Sequence, residues 1–185
     1  SEQLHPLCQN FLSAAQEIGI VLNKDMNGAT QEGVGNYQIT THKGQRMSSS
    51  RAYLWPIKGR NNLTIIKNAL ASRVLIKDKK AYGVEYLKSG KTQQVFAHCE
   101  VILSAGSINS PHLLQLSGIG PKNTLKQASI PLVHDSPAVG ENLQDHLGVS
   151  YFYKSKVPTL NDQLRPFLGK IYQGLRYICA RTGPL

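Results

Sequence analysis

Apolar positions at Phe11, Leu12, Ala14, Ala15 and Ile18 recur at the spacing of one helical face, which predicts a helix over Pro6–Glu17 closed by Gly19. Residues 25–35 are rich in turn formers, with Asn27-Gly28 the strongest signal. Tyr37 to Thr41 alternates as a strand does, and Ser48 to Trp55 reads as a helix ending before Pro56. From Asn62 the period shortens. Leu63 to Ile66, Leu70 to Ile76, Tyr82 to Leu87 and Gln93 to Ala97 are strand-like, and Asp78-Lys79-Lys80 and Ser89-Gly90-Lys91 break them. Strands at this spacing joined by polar turns form an antiparallel meander.

A different pattern begins at Val101-Ile102-Leu103, an unbroken apolar run of the kind buried on both faces in a parallel sheet. Ser104-Ala105-Gly106 then replaces bulk with very small side chains. In open α/β sheets this carboxyl end of a strand is where ligands bind. Ser110-Pro111 reads as a capped helix start, with Leu113, Leu114 and Leu116 as its buried face. Gly118 and Gly120-Pro121 end that helix. Strand, small-residue turn and helix together make half of a cofactor-binding α/β unit. Further on, Lys122 to Ser129 predicts a short helix, Ile130 to Val133 a strand and Pro137 to Asn142 a loop. Tyr151 to Tyr153 alternates. Leu164 to Arg181 reads as mainly helical, with Leu168, Ile171, Leu175 and Ile178 on one face.

Composition changes this picture little. The 185 residues carry 21 Lys and Arg against 11 Asp and Glu, a net charge of +10. The basic residues are dispersed and no nucleic-acid-binding motif accompanies them, so a solvated basic surface is expected and no nucleic-acid partner. Cys8, Cys99 and Cys179 are far apart and odd in number, which supports neither a disulfide framework nor a zinc site. Cys99 reads as a small core residue of a strand. No run is long enough for a membrane span. Gly33-Val34-Gly35 lacks both the third glycine and the preceding buried strand of a dinucleotide loop, and is read as turn chemistry. A G-x-S-x-G hydrolase elbow is absent.

One resemblance sharpens the reading. Gly106 to Gly120, GSINSPHLLQLSGIG, is similar to the second sequence signature of the glucose–methanol–choline (GMC) oxidoreductases. Gly140-Glu141-Asn142-Leu143-Gln144-Asp145-His146 resembles that family's NLQDH segment, and Arg46 to Leu54 and Tyr82-Gly83-Val84-Glu85 match family words in the right order. The resemblance implies an α/β fold (α+β overall): an incomplete FAD-binding domain of glutathione-reductase type that contains the antiparallel meander, plus part of a substrate domain. Residues 1–45 would be part of the substrate domain, 46–146 the central part of the FAD-binding domain, and 147–185 the start of a further substrate-domain segment. The implied cofactor is FAD. The implied substrate is a primary alcohol or a sugar hydroxyl, oxidised by hydride transfer to flavin. The implied acceptor is quinone-like, as in the insect glucose-dehydrogenase branch, which the tail residues Val157 to Asn161 and Arg181 to Leu185 resemble. An oxygen-using oxidase and a non-catalytic binding protein are the alternatives.

By that resemblance the catalytic histidine and the glycine-rich pyrophosphate loop lie outside these residues. The sequence is then expected to be an internal fragment, inactive and flavin-free by itself, with no catalytic residue of its own. What remains is cofactor contact. Ala71 falls where a backbone group reaches the adenine, and Ala105 and Gly106 fall where a larger side chain would collide with the cofactor. Plain strand packing is the rival account of Ala71, and close helix–strand packing that of the other two. Asp145-His146 is read as structural, His112 as a surface or satisfied core residue, and His134-Asp135 as a solvated loop. The compartment is not readable; the resemblance admits secretion.

Overall fold

The computed structural model describes residues 4–183. Its elements, in chain order, begin with helix α1 (Pro6–Glu17) and the short strands β1 (Thr41–His42) and β2 (Gln45–Arg46). A π-helical turn (Ser50–Leu54) and a 3₁₀ turn (Trp55–Ile57) follow. Next come strands β3 (Ala69–Lys77), β4 (Lys80–Lys88) and β5 (Lys91–Phe96), helix α2 (Gly106–Leu116), strand β6 (Ile119–Gly120), helix α3 (Lys122–Gln127) and strand β7 (His134–Asp135). Helices α4 (Leu160–Leu164) and α5 (Phe167–Ala180) complete the series. The fold is mixed α/β with small sheets. It divides into two compact units, one made of the residues before Thr64 and those from Tyr151 on, the other of Thr64–Ser150.

The second unit holds the meander, with strand order β3-β4-β5 and both pairings antiparallel. Its two turns, Asp78-Lys79 and Ser89-Gly90, have positive φ at both central residues. A type I′ turn requires this, and its twist matches that of the strands it joins. Gly83 is needed by close approach rather than by φ, since a Cβ there would lie 2.5 Å from the Val95 carbonyl. Ser72 is the extra residue of a bulge between Ala71 and Arg73, and its hydroxyl donates to the Glu85 carbonyl at 3.1 Å. Helix α2 packs on β3, and Val74, Leu75, Leu113 and Leu125 are buried, Leu125 to 1% exposure.

Several expectations are corrected here. Val101-Ile102-Leu103 belongs to no strand, because no neighbouring strand among the described residues pairs with its amides. Val101 and Leu103 instead line an apolar cavity with Val74, Ile76, Leu114 and Ile119, while Ile102 is 75% exposed. Helix α2 starts at Gly106 rather than at Ser110, since Gly106 at φ +91° lets the chain turn inward earlier. Pro111 therefore sits inside the helix at the cost of one intrahelical hydrogen bond. Leu63 to Ile66 pairs with no strand among the described residues, and Ile130 to Val133 yields to β7, which runs parallel to β6. His134-Asp135 is thus a strand, not a free loop, and Asp135 Oδ1 accepts the Lys122 amide at 3.1 Å, beside the start of α3. Cys99 is exposed, because β5 ends at Phe96 and leaves it outside the sheet.

In the first unit α1 has the expected bounds, and Leu12 and Ala15 pack with Val34 as its core. Gly19, at φ +89°, closes the helix by donating to the Gln16 carbonyl at 2.9 Å. Tyr37 to Thr40 lies outside any strand; pairing starts at Thr41 because the hairpin turns at Lys43-Gly44, both at positive φ. Ser48 to Trp55 is helical but in π and 3₁₀ form, and Pro56 lies inside the 3₁₀ turn instead of ending it. The C-terminal helical stretch is broken at Pro166 into α4 and α5. Its apolar face points outward, with Leu168 76% and Ile178 67% exposed, while Gln173 is buried.

Candidate functional site

Two stretches singled out in the sequence meet in one place. The first turn of α2 and the loop after β7 line a single cleft of about 900 Å³, with Ser107, Ile108 and His112 on one side and Gly140, Asn142 and Gln144 on the other. That size lies in the range of cofactor clefts, roughly 300–1,000 Å³. The fold explains the meeting. Gly118, at φ +84°, ends α2, and β6 then pairs in parallel with β7. That pairing returns the chain alongside the helix it has just left.

The helix wall is rich in unspent donors. The first backbone amides of any α-helix lack intrahelical partners and carry the positive end of its dipole. No acidic residue lies in the first turn of α2 to neutralise them. The Ala105 amide is the exception, because it donates to Ser110 Oγ at 3.0 Å. Ser110 thus caps the helix start from within. A Cβ placed on Gly106 would meet nothing within 4 Å, so the space before the helix is open. Free amides, no acid in the first turn and open space fit an anionic nucleotide cofactor.

The loop wall is shaped by its own turns. The Val139 amide donates to the Ser136 carbonyl at 3.1 Å, the Glu141 amide to the Ala138 carbonyl at 3.2 Å, and Asn142 adopts φ +56°. Asparagine is among the few residues that tolerate this left-handed conformation. Asp145 Oδ1 accepts the His146 amide at 2.8 Å, a local bond in an exposed stretch.

Of the expected contact residues, Ala105 and Gly106 immediately precede Ser107 at the helix start but are not among the residues that line the cleft. Ala71 lies apart, exposed on β3 beside the Ser72 bulge and opposite Tyr86, and does not line the cleft. Near it, Glu85 accepts from Arg73 at 3.1 Å and from Gln94 at 3.3 Å, and these bonds hold its carboxyl below the ordinary range, Arg73 contributing most. Sequence reasoning missed Ser107, Gln115 and Asn142. The signal for Gln115 was a lone polar side chain in the apolar run Leu113 to Leu116.

A helix start with free amides facing a cleft of this size fits a nucleotide-cofactor protein. Comparison with known proteins narrows it. The family model for GMC oxidoreductase matches residues 1–148, and the chain belongs to that family. It is 50% identical over 182 residues to an oxygen-dependent choline dehydrogenase of Photobacterium profundum, covering 98% of this chain and 32% of the relative. It is also 50% identical over 185 residues to an alcohol dehydrogenase [acceptor] of Pseudomonas putida, covering 98% and 34%. The solved structure of an FAD-dependent oxidoreductase from Chaetomium thermophilum superposes with a TM-score of 0.85 at 31% identity, covering 98% of this chain and 32% of that one. The chain spans about a third of the length of the curated relatives it matches. Family membership and the FAD-dependent neighbour support FAD as the cofactor. These relatives are named for choline and alcohol rather than for glucose, and so do not point to the glucose-dehydrogenase branch.

Proposed function

We propose that this chain builds the central part of the FAD cleft of an oxidoreductase acting on primary alcohols, with choline or a simple alcohol preferred to a sugar. The observation that carries the proposal is the single cleft walled by the α2 start and the Gly140–Gln144 loop. Bound FAD supplies the acceptor for the hydride that leaves the substrate carbon. The part played by this chain is binding and orientation. The amides at the α2 start face the cofactor's anionic phosphates, Gly106 keeps the approach open, and the Ala71 backbone on β3 reaches the adenine. Residues 46–146 act as the FAD-binding portion, in a glutathione-reductase-type arrangement; 1–45 and 147–185 belong to the substrate side.

For the acceptor we propose a quinone-like compound; one relative is named alcohol dehydrogenase [acceptor], for an acceptor that the name leaves unspecified. The choline dehydrogenase named as oxygen-dependent favours a second reading, in which oxygen takes the electrons. The test is anaerobic mixing of the flavin-loaded complete polypeptide with choline, a simple primary alcohol and glucose, followed by re-oxidation with a quinone or with air. Bleaching of the flavin band by choline or the alcohol is expected, with re-oxidation faster by quinone. No bleaching by any hydroxyl compound overturns the proposal, and stoichiometric peroxide release establishes the oxygen reading.

A further inference from the structure

Gln115 stands one residue before the end of α2, and its side chain leaves the helix to reach the cleft's other wall. Its amide Nε2 donates to the Val139 carbonyl at 3.1 Å. Two glycines make room for it. A Cβ on Gly120 would come within 2.9 Å of Gln115 Cγ, and a Cβ on Gly140 within 2.7 Å of Nε2. Gly140 also holds φ +90°, a conformation that strains other residues. The loop's other hydrogen bonds noted above are local, within 136–141. The amide of Gln115 thus joins the loop to the helix across the cleft.

We infer that Gln115 is a positioning residue for the cofactor: by holding Val139 it fixes the separation of the cleft's two walls. This rests on the reading of the cleft as the FAD site. The chemistry of the side chain suits the task. A neutral amide ties a carbonyl without adding a second carboxylate to a cleft that Glu141 already lines, which a glutamate at this position would do. A loop released from this bond samples open arrangements, and affinity falls by the fraction of molecules that remain competent.

The experiment uses the complete polypeptide, flavin-loaded and flavin-stripped, with Gln115→Leu and Gln115→Glu. Leucine keeps the bulk and loses the donor, whereas glutamate turns a carboxylate toward the Val139 carbonyl. One hydrogen bond of ordinary net strength predicts about a fivefold rise in the FAD dissociation constant for Gln115→Leu, and a larger one for Gln115→Glu. Hydrogen exchange of the stripped protein should quicken at amides 139–144 and stay unchanged in β3–β5. FAD affinity within twofold of the parent overturns the inference, whatever the loop does. Equal loss of protection in loop and meander also overturns it, since that is a folding defect. A parent protein that takes up no FAD sinks the reading of the cleft, whereas an unaltered loop in a flavin-binding Gln115→Leu protein sinks only the tie.

Discussion

The hydroxyl of Ser117 accepts the backbone amide of Val74 at 2.8 Å and donates to the Leu113 carbonyl at 2.6 Å, with both Ser117 and Val74 buried. Among the described residues strand β3 has only β4 beside it, so an outward-facing amide such as that of Val74 needs an acceptor from elsewhere. The end of α2 supplies it, and the helix and meander become one body. Ser117→Ala strands a buried donor and should cost about 1–3 kcal/mol. Denaturant unfolding reads this as a lower midpoint at unchanged slope; a loss below about 0.5 kcal/mol, the size of an ordinary surface substitution, would show that the bond is dispensable.

Gly118 is constrained twice. Its φ is +84°, and a Cβ there would lie 2.5 Å from the Pro131 carbonyl and 2.7 Å from Val133 Cγ2. Its own carbonyl accepts the Val133 amide at 2.8 Å, so the chain cannot move aside without losing the approach of β7. Gly118→Ala should therefore destabilise by at least about 2 kcal/mol, strain and clash together. Gly90, at φ +74° with nothing within 4 Å, carries only the conformational part. Gly90→Ala should cost about 1 kcal/mol. Thermal or chemical unfolding of the pair tests the difference, and equal losses contradict the account.

Local signals were legible and non-local pairings were not. The periodicity of α1, the turns Asp78-Lys79 and Ser89-Gly90 and the alternation of β3 to β5 are short-range chemistry, and the structure follows them. Val101-Ile102-Leu103 has the pattern of a parallel strand because apolar β-branched residues describe burial, yet a parallel strand also needs neighbours that no local pattern supplies. β7 was missed for the same reason: His134-Asp135 pairs with Ile119-Gly120 across a helix. Beside the cleft, Ala105 and Gly106 stand out by size. Gln115 does not, because its importance lies in reaching Val139, twenty-four positions away.

Burial separates the apolar residues of two helices in a way that their sequences do not: α3, KNTLKQ, has one leucine, whereas α5, FLGKIYQGLRYICA, carries a whole apolar face. Leu125 in α3 is 1% exposed, whereas Ile178 on the apolar face of α5 is 67% exposed. Leu125→Ala should cost about 2–5 kcal/mol through lost burial and the cavity left behind. Ile178→Ala in the same 185-residue chain should stay within about 0.5 kcal/mol. Parallel urea titrations decide the matter. A large loss at Ile178 would mean that this helix face is covered in solution.

Asp162 makes α4 sensitive to acid. Its Oδ2 accepts the Thr159 amide at 2.7 Å and the Thr159 hydroxyl at 2.9 Å, while the Asp162 amide donates to the Thr159 carbonyl at 3.1 Å. These bonds, the Thr159 amide foremost, favour the charged carboxylate and lower its pKa from the ordinary 3.8. A carboxyl whose pKa is lower folded than unfolded stabilises the helix start above the unfolded value, and this contribution disappears as pH falls through the folded one. Carboxyl chemical shifts followed by NMR should give Asp162 a midpoint below 3.8, with the Thr159 amide resonance moving over the same range. Asp162→Asn should abolish that movement, because an amide has no proton to gain there. A midpoint at or above the ordinary value, or a Thr159 amide indifferent to the titration, rules out this cap as the acid-sensitive element.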